Sequence, residues 1–158
     1  YSGTVAAAME ATLMGVPAIA VSLASKEFSY DNFRSAAAVA RRMAETVLEH
    51  GLPADTFINV NVPDSAPQGI RLTRQGKRVY GDAVVQNCDP RGRAYYWIGA
   101  GELSFQDLEG TDFHAVQNGY VSVTPLHLDL TNYAAMERRR QWRLEETLLT
   151  ADKPGDDS

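Results

Sequence analysis

The chain opens with apolar positions at helical spacing. Val5, Met9 and Leu13 recur every four residues among alanines, which predicts a helix over residues 2–14, ended by Gly15 and Pro17. Ala18-Ile19-Ala20-Val21-Ser22-Leu23 is a short, nearly continuous apolar run, the pattern of a parallel strand buried on both faces. A helix, a Gly-Pro turn and a buried strand make one half of an α/β unit. A second helix is predicted over residues 32–49, with Asp31 as N-cap. Ala36, Val39, Ala40, Met43, Val47 and Leu48 form its apolar stripe, while Arg41, Arg42, Glu45 and Glu49 face solvent. Gly51 and Pro53 stop it, and the β-branched and aromatic residues of 56–62 predict a strand closed by Pro63.

From about residue 64 the period shortens and turn residues become frequent. Residues 70–74 alternate, and 79–86 and 94–98 predict further strands joined through Asp89-Pro90-Arg91-Gly92-Arg93. A long hairpin is expected here. Tyr95, Tyr96 and Trp97 cannot all point inward on a two-stranded arm, so some of them need cover from another surface. Residues 111–116 suit one helical turn capped by Thr111 or Asp112. Residues 119–124 alternate as a last strand closed by Pro125. A terminal helix is predicted over 131–149, with Thr131 or Asn132 as cap and Trp142, Leu144 and Leu148 on its apolar side. The organisation expected is one domain, 1–158. Residues 1–63 belong to an α/β core, about 64–110 to a β-rich hairpin extension, 111–130 to the core again, 131–150 to a C-terminal helix and 151–158 to an acidic tail.

Composition narrows the function classes. At 158 residues and 44% hydrophobic content the chain can bury one core. A net charge of −5 argues against a nucleic-acid polymer or an anionic membrane as partner, but a small phosphorylated substrate needs only local donors. The lone Cys88 allows no intrachain disulfide, and no apolar run approaches the roughly 20 residues of a membrane span.

The first chemical candidate is Ser2-Gly3-Thr4. Ser2 and Thr4 are capping residues, Gly3 permits close approach to the backbone, and the unpaired N–H groups and dipole of a helix start favour an anion. A plain N-cap that binds nothing explains Ser2 equally well. Asp112 and His114 are an acid–base or metal candidate, yet two residues apart on a helix they diverge, which favours a cap and a structural histidine. His50 suits a helix C-terminus, and His127 beside Pro125 looks structural. Arg138-Arg139-Arg140 with Glu145-Glu146 reads as a charged helix face, and Asp156-Asp157 as a solvated pair in the tail. Cys88 has neither a neighbouring base nor zinc-ligand spacing. Residue chemistry alone thus gives a phosphate cradle without a catalytic group.

Several separated segments, in order, resemble the SurE family of metal-dependent 5'/3'-nucleotidases. They are Tyr1-Ser2-Gly3-Thr4-Val5-Ala6-Ala7-Ala8-Met9-Glu10, Gly15-Val16-Pro17-Ala18-Ile19-Ala20-Val21-Ser22 and Asn59-Val60-Asn61-Val62-Pro63, followed by Thr73-Arg74-Gln75-Gly76. Asp89-Pro90-Arg91-Gly92 with Tyr95-Tyr96-Trp97-Ile98-Gly99, Thr111-Asp112 and Gly119-Tyr120-Val121-Ser122-Val123-Thr124-Pro125-Leu126 complete the set. The resemblance implies a three-layer α/β/α, Rossmann-like fold with a β-hairpin extension and a C-terminal segment used in oligomerisation. It implies hydrolysis of 5'- and 3'-nucleoside monophosphates with Mg²⁺ or Mn²⁺, in cytoplasmic dimers or tetramers, and for some members trimming of polyphosphate. Ser2, Gly3 and Thr4 match the family's phosphate-facing helix start.

The family's metal ligands are an Asp-Asp pair after the first strand, a Ser, and an Asn just before the Tyr-Ser-Gly-Thr segment. All of these fall ahead of Tyr1. The expectation is therefore a C-terminal portion that keeps the cradle, holds no metal ligand and no catalytic residue, and is inactive alone. The alternative is a non-catalytic phosphate-binding or oligomerisation module. A dinucleotide-binding or methyltransferase fold is disfavoured, because no glycine fingerprint is present.

Overall fold

A computed structural model gives the fold and describes residues 2–25, 30–79, 84–98, 104–139 and 142. The chain divides into two compact units, Tyr1–Leu128 and Asp129–Ser158. The first holds α1 (Gly3–Leu13), β1 (Ile19–Ala24), α2 (Tyr30–His50), β2 (Thr56–Pro63), β3 (Ile70–Leu72), β4 (Arg78–Val79), β5 (Val84–Cys88), β6 (Ala94–Ile98), β7 (Ser104–Phe105), α3 (Asp112–Gln117) and β8 (Val121–His127). Its main sheet has four strands in the order β1-β2-β8-β3. β1 runs parallel to β2, with Ile19 opposite Ile58 and Ala24 opposite Pro63. β8 runs antiparallel to β2 and parallel to β3.

Strand alternation assigns the two faces of this sheet. Ile58, Val60, Val62, Val121 and Val123 form one apolar cluster with Ala36, and Ile19, Val21, Leu23, Val39 and Met43 pack against it. This is the face covered by α2. On the opposite face Ala18, Ala20 and Phe57 pack with Ala8 of α1, joined by Val5, Met9, Leu126 and Leu128. Two helices on opposite faces of a mixed sheet give the three-layer α/β architecture expected. Turn chemistry ends α1 where predicted. Gly15 takes φ 78°, and Val16 N–H donates to the Ala11 carbonyl at 2.9 Å, closing the last helical turn.

Four details differ from the sequence pattern. α2 begins at Tyr30, so Asp31 lies inside the helix and is not its N-cap. Leu48 is 87% exposed. The seam through Ala36, Val39, Met43 and Val47 leaves it one residue, about 100°, off the buried face. β3 joins the main sheet beside β8, not the extension. β8 also runs on to His127, with Pro125 opposite Ile58. β3 ends opposite Val123, so β8 has an open side at Pro125, where a residue lacking an N–H costs the ladder nothing. The predicted hairpin is present. β5 pairs with β6 from Val84–Ile98 to Cys88–Ala94, and the Asp89 carboxylate accepts from the N–H groups of Arg91 and Arg93 at 2.8 and 2.9 Å in its turn. Of the strand predicted over 79–86, residues 80–83 lie outside the described residues.

The second unit contains α4 (Tyr133–Arg139). Asn132, one of the two predicted caps, accepts from Ala135 N–H at 2.8 Å. The Arg139 guanidinium stands 4.0 Å from the centre of the Trp142 ring. The rest of the predicted helix, with Leu144 and Leu148, and the tail with Asp156 and Asp157 lie outside the described residues. Asp129 accepts from the Tyr133 hydroxyl and from Thr131 N–H.

Two outcomes follow from this packing. Phe57 is fully buried between β2 and α1, so Phe57→Ala lowers stability by about 3–5 kcal/mol, as measured by denaturant unfolding. The hydrogen bond to Asp129, and next its charge, raise the Tyr133 pKa above 10.0. The neutral hydroxyl makes that bond, so its contribution is present below the ordinary tyrosine pKa and is lost as pH rises through the raised value. Absorbance titration at alkaline pH shows a late-ionising tyrosine, and Asp129→Asn moves it back toward 10.

Candidate phosphate-binding site

The site is built on the start of α1. The short link from α1 to β1 makes helix and strand run in opposite directions, so Ser2 lies toward the carboxyl ends of β1 and β2. Open α/β sheets bind ligands at that edge. Ser2 is extended (φ −131°, ψ 118°) and its hydroxyl accepts from Val5 N–H at 3.4 Å. It is a genuine N-cap, and the bond is long and solvent-exposed. The first turn of α1 carries no acidic side chain, so nothing within it neutralises the positive end of the dipole. The N–H groups of Gly3 and Thr4 have no acceptor among the described residues. A Cβ placed on Gly3 would meet nothing within 4 Å. Two free amides, two exposed hydroxyls and an open approach at a helix start can hold a phosphate-sized anion.

The sheet beside this helix start changes character along its length. On the α1 face the strands are apolar at Ala18, Phe57 and Leu126. Towards the carboxyl end of β2 they present Asn59 opposite Ala20 and Thr124, then Asn61 opposite Ser22 and Ser122. Ser122 and Thr124 are buried, and the Thr73 hydroxyl lies 2.9 and 2.7 Å from theirs.

The other sequence candidates separate in space. The Asp112 carboxylate accepts from the N–H groups of Gly76 at 2.8 Å and Phe113 at 2.9 Å. A Cβ on Gly76 would fall 2.6 Å from the Phe113 ring, so glycine is required there. Thr111 caps α3. His114 turns away from Asp112 and meets Asp107, with Nδ1 2.7 Å from the carboxylate. His50 pairs with Glu49 at 3.8 Å at the end of α2, His127 ends β8, and Cys88 is an exposed thiol at the end of β5. Among the described residues no three His, Cys, Asp or Glu side chains converge to a metal-binding group. Nor is any described helix long and apolar enough to cross a membrane.

Residues 1–82, which include this helix start and the strands β1 and β2, match the family described as survival protein SurE. The chain belongs to the SurE family. A protein named 5'-nucleotidase SurE from Syntrophotalea carbinolica is 60% identical over 144 residues, covering 91% of this chain and 58% of its own length. A second of that name, from Geobacter sulfurreducens, is 57% identical over 157 residues, covering 98% of this chain and 60% of its own. The crystal structure of SurE protein from Aquifex aeolicus superposes with a TM-score of 0.72 at 46% identity, over 90% of this chain and 58% of that one. The chain thus spans about three fifths of the length of these SurE relatives.

Sequence reading misses the polar rows on the sheet. The Asn-Val-Asn-Val alternation is visible in the chain, but Ser22 and Ser122 become its neighbours only through the strand order. Stability separates the structural acid from the site: Asp112→Ala costs about 1.5–3 kcal/mol by loss of a charged acceptor for two N–H groups, measured by thermal unfolding.

Proposed function

We propose that this chain carries the phosphate-binding part of a nucleotidase that hydrolyses 5'- and 3'-nucleoside monophosphates to nucleoside and phosphate. The observation behind this reading is the open Ser2-Gly3-Thr4 helix start at the carboxyl edge of the sheet, in a chain whose close relatives are named 5'-nucleotidase SurE. The amides of Gly3 and Thr4 and the hydroxyls of Ser2 and Thr4 hold the phosphate oxygens and stabilise the charge that develops on them. A bound divalent cation, Mg²⁺ or Mn²⁺, would supply charge neutralisation and a water of lowered pKa, held by residues other than those described. The reading includes a cytoplasmic protein that works as a homodimer or homotetramer. Exposed Tyr95 and Tyr96 on the β5–β6 hairpin support the assembly.

Colorimetric phosphate release from a nucleoside monophosphate by the full-length protein, with and without Mn²⁺, tests the reading. Metal-dependent release is expected, and Gly3→Val lowers kcat/KM roughly ten- to a hundredfold by blocking the amides. Absence of release above background leaves the non-catalytic phosphate-binding or assembly module. Light scattering should show a species larger than the monomer, and Tyr95→Ser with Tyr96→Ser should shrink it.

A further inference from the structure

Three adjacent strands change from apolar to polar on the same face and at the same level. β1 passes from Ala20 to Ser22, β2 from Phe57 to Asn59 and Asn61, and β8, running the other way, from Leu126 to Thr124 and Ser122. The opposite face stays apolar throughout, at Ile58, Val60, Val62, Val121 and Val123. A change confined to one face and shared by three strands has a local cause on that face.

Internal hydrogen bonding accounts for only part of it. The Thr73 hydroxyl satisfies Ser122 and Thr124. The side chains of Ser22, Asn59 and Asn61 have no hydrogen-bond partner among the described residues, although Asn59 is only 8% exposed. No fully enclosed side-chain nitrogen or oxygen among the described residues lacks a partner. The Asn59 carboxamide therefore opens onto accessible space and does not point into the core. Such a group offers two donors and an acceptor to whatever enters.

Position gives the occupant. Ala8 packs on Ala18, Ala20 and Phe57, and Ser2 lies six residues, about 9 Å, further along the helix toward the carboxyl edge. The step from Ala20 to Ser22 covers about 7 Å of that distance. The row of Ser22, Asn61 and Ser122 is thus level with the helix start. The two rows span roughly 7 by 10 Å. The residues of β1, β2 and β8 that form them are uncharged, with hydroxyls and carboxamides that match sugar hydroxyls and the heteroatom edge of a base. Arg71 of β3, opposite Ser122, ends the second row with its guanidinium stacked on Tyr120. Phosphate suits the helix start instead.

We infer that Asn59 and Asn61, with Ser22 beside them, form the subsite for the nucleoside portion of the substrate whose phosphate sits on the start of α1. This rests on the nucleotidase reading for the phosphate, while the nucleoside contact is tested by itself. In the full-length protein with Mn²⁺, kcat/KM is measured for adenosine monophosphate and for p-nitrophenyl phosphate, which lacks a nucleoside. Asn61→Ala and Asn59→Ala each lower the ratio of the two by about tenfold, mainly through KM for the nucleotide. Adenosine binding, followed by calorimetry without phosphate present, weakens by a similar factor.

An unchanged ratio in both variants overturns the inference, as does an equal fall for both substrates. If neither phosphate is hydrolysed by the parent, the nucleotidase reading fails and adenosine binding alone decides. No saturable binding, or equal binding by parent and variants, then overturns the subsite. Half-buried Asn61 carries the test if Asn59→Ala unfolds, as circular dichroism would show.

Discussion

Much of this structure depends on β2 being covered on both faces while serving two purposes. Its α2-facing residues, Ile58, Val60 and Val62, belong to a continuous apolar cluster. Its other face is apolar only at Phe57, where α1 docks, and polar beyond it. One strand thus anchors a helix at its amino end and carries polar side chains towards its carboxyl end. The parallel pairing with β1 fixes that division, because a slip of one residue would exchange the two faces.

Docking at the lower end of the sheet also orients the helix start. Phe57, Ala18 and Ala20 hold α1 through Ala8, with Val5 of the first turn packed beside them, while Ser2, Gly3 and Thr4 on the same turn stay exposed. These three remain open although the helix behind them is anchored. The proposed phosphate contacts need this combination of a held helix and an uncovered end. The charge-assisted bonds of Asp112 do a different job. They tie the loop at Gly76 to the start of α3, so an acid with the look of a catalytic candidate is used for folding.

Local features are legible in the amino-acid sequence itself. Ser2, Gly15 and the Asn-Val-Asn-Val alternation mark a helix start, a helix end and a strand, because capping, positive φ and side-chain alternation act over a few residues. The differences between pattern and fold have long-range causes. β3 reads as part of the extension because its partner, β8, lies about fifty residues away in the chain. Pro125 reads as a strand end because nothing local says that β3 stops short of it. Leu48 reads as buried because it borders the apolar stripe of α2, but it lies about 100° from the seam that meets the sheet. The helix start at Ser2 is visible as a possible site, but the polar rows beside it are not, since they exist only once β1, β2 and β8 stand in order.

The alanines between α1 and the sheet set a height. Ala8 meets Ala18 and Ala20, and side chains this short let the helix axis lie close to the strands. The first-turn amides are therefore held near the plane of Asn61 and Ser22. Larger residues at these contacts would lift the helix like a thicker washer and raise its open end away from the sheet, with no change to any residue of the site itself. The spacing between a phosphate at the helix start and whatever lies on the sheet is thus encoded in residues that would touch neither.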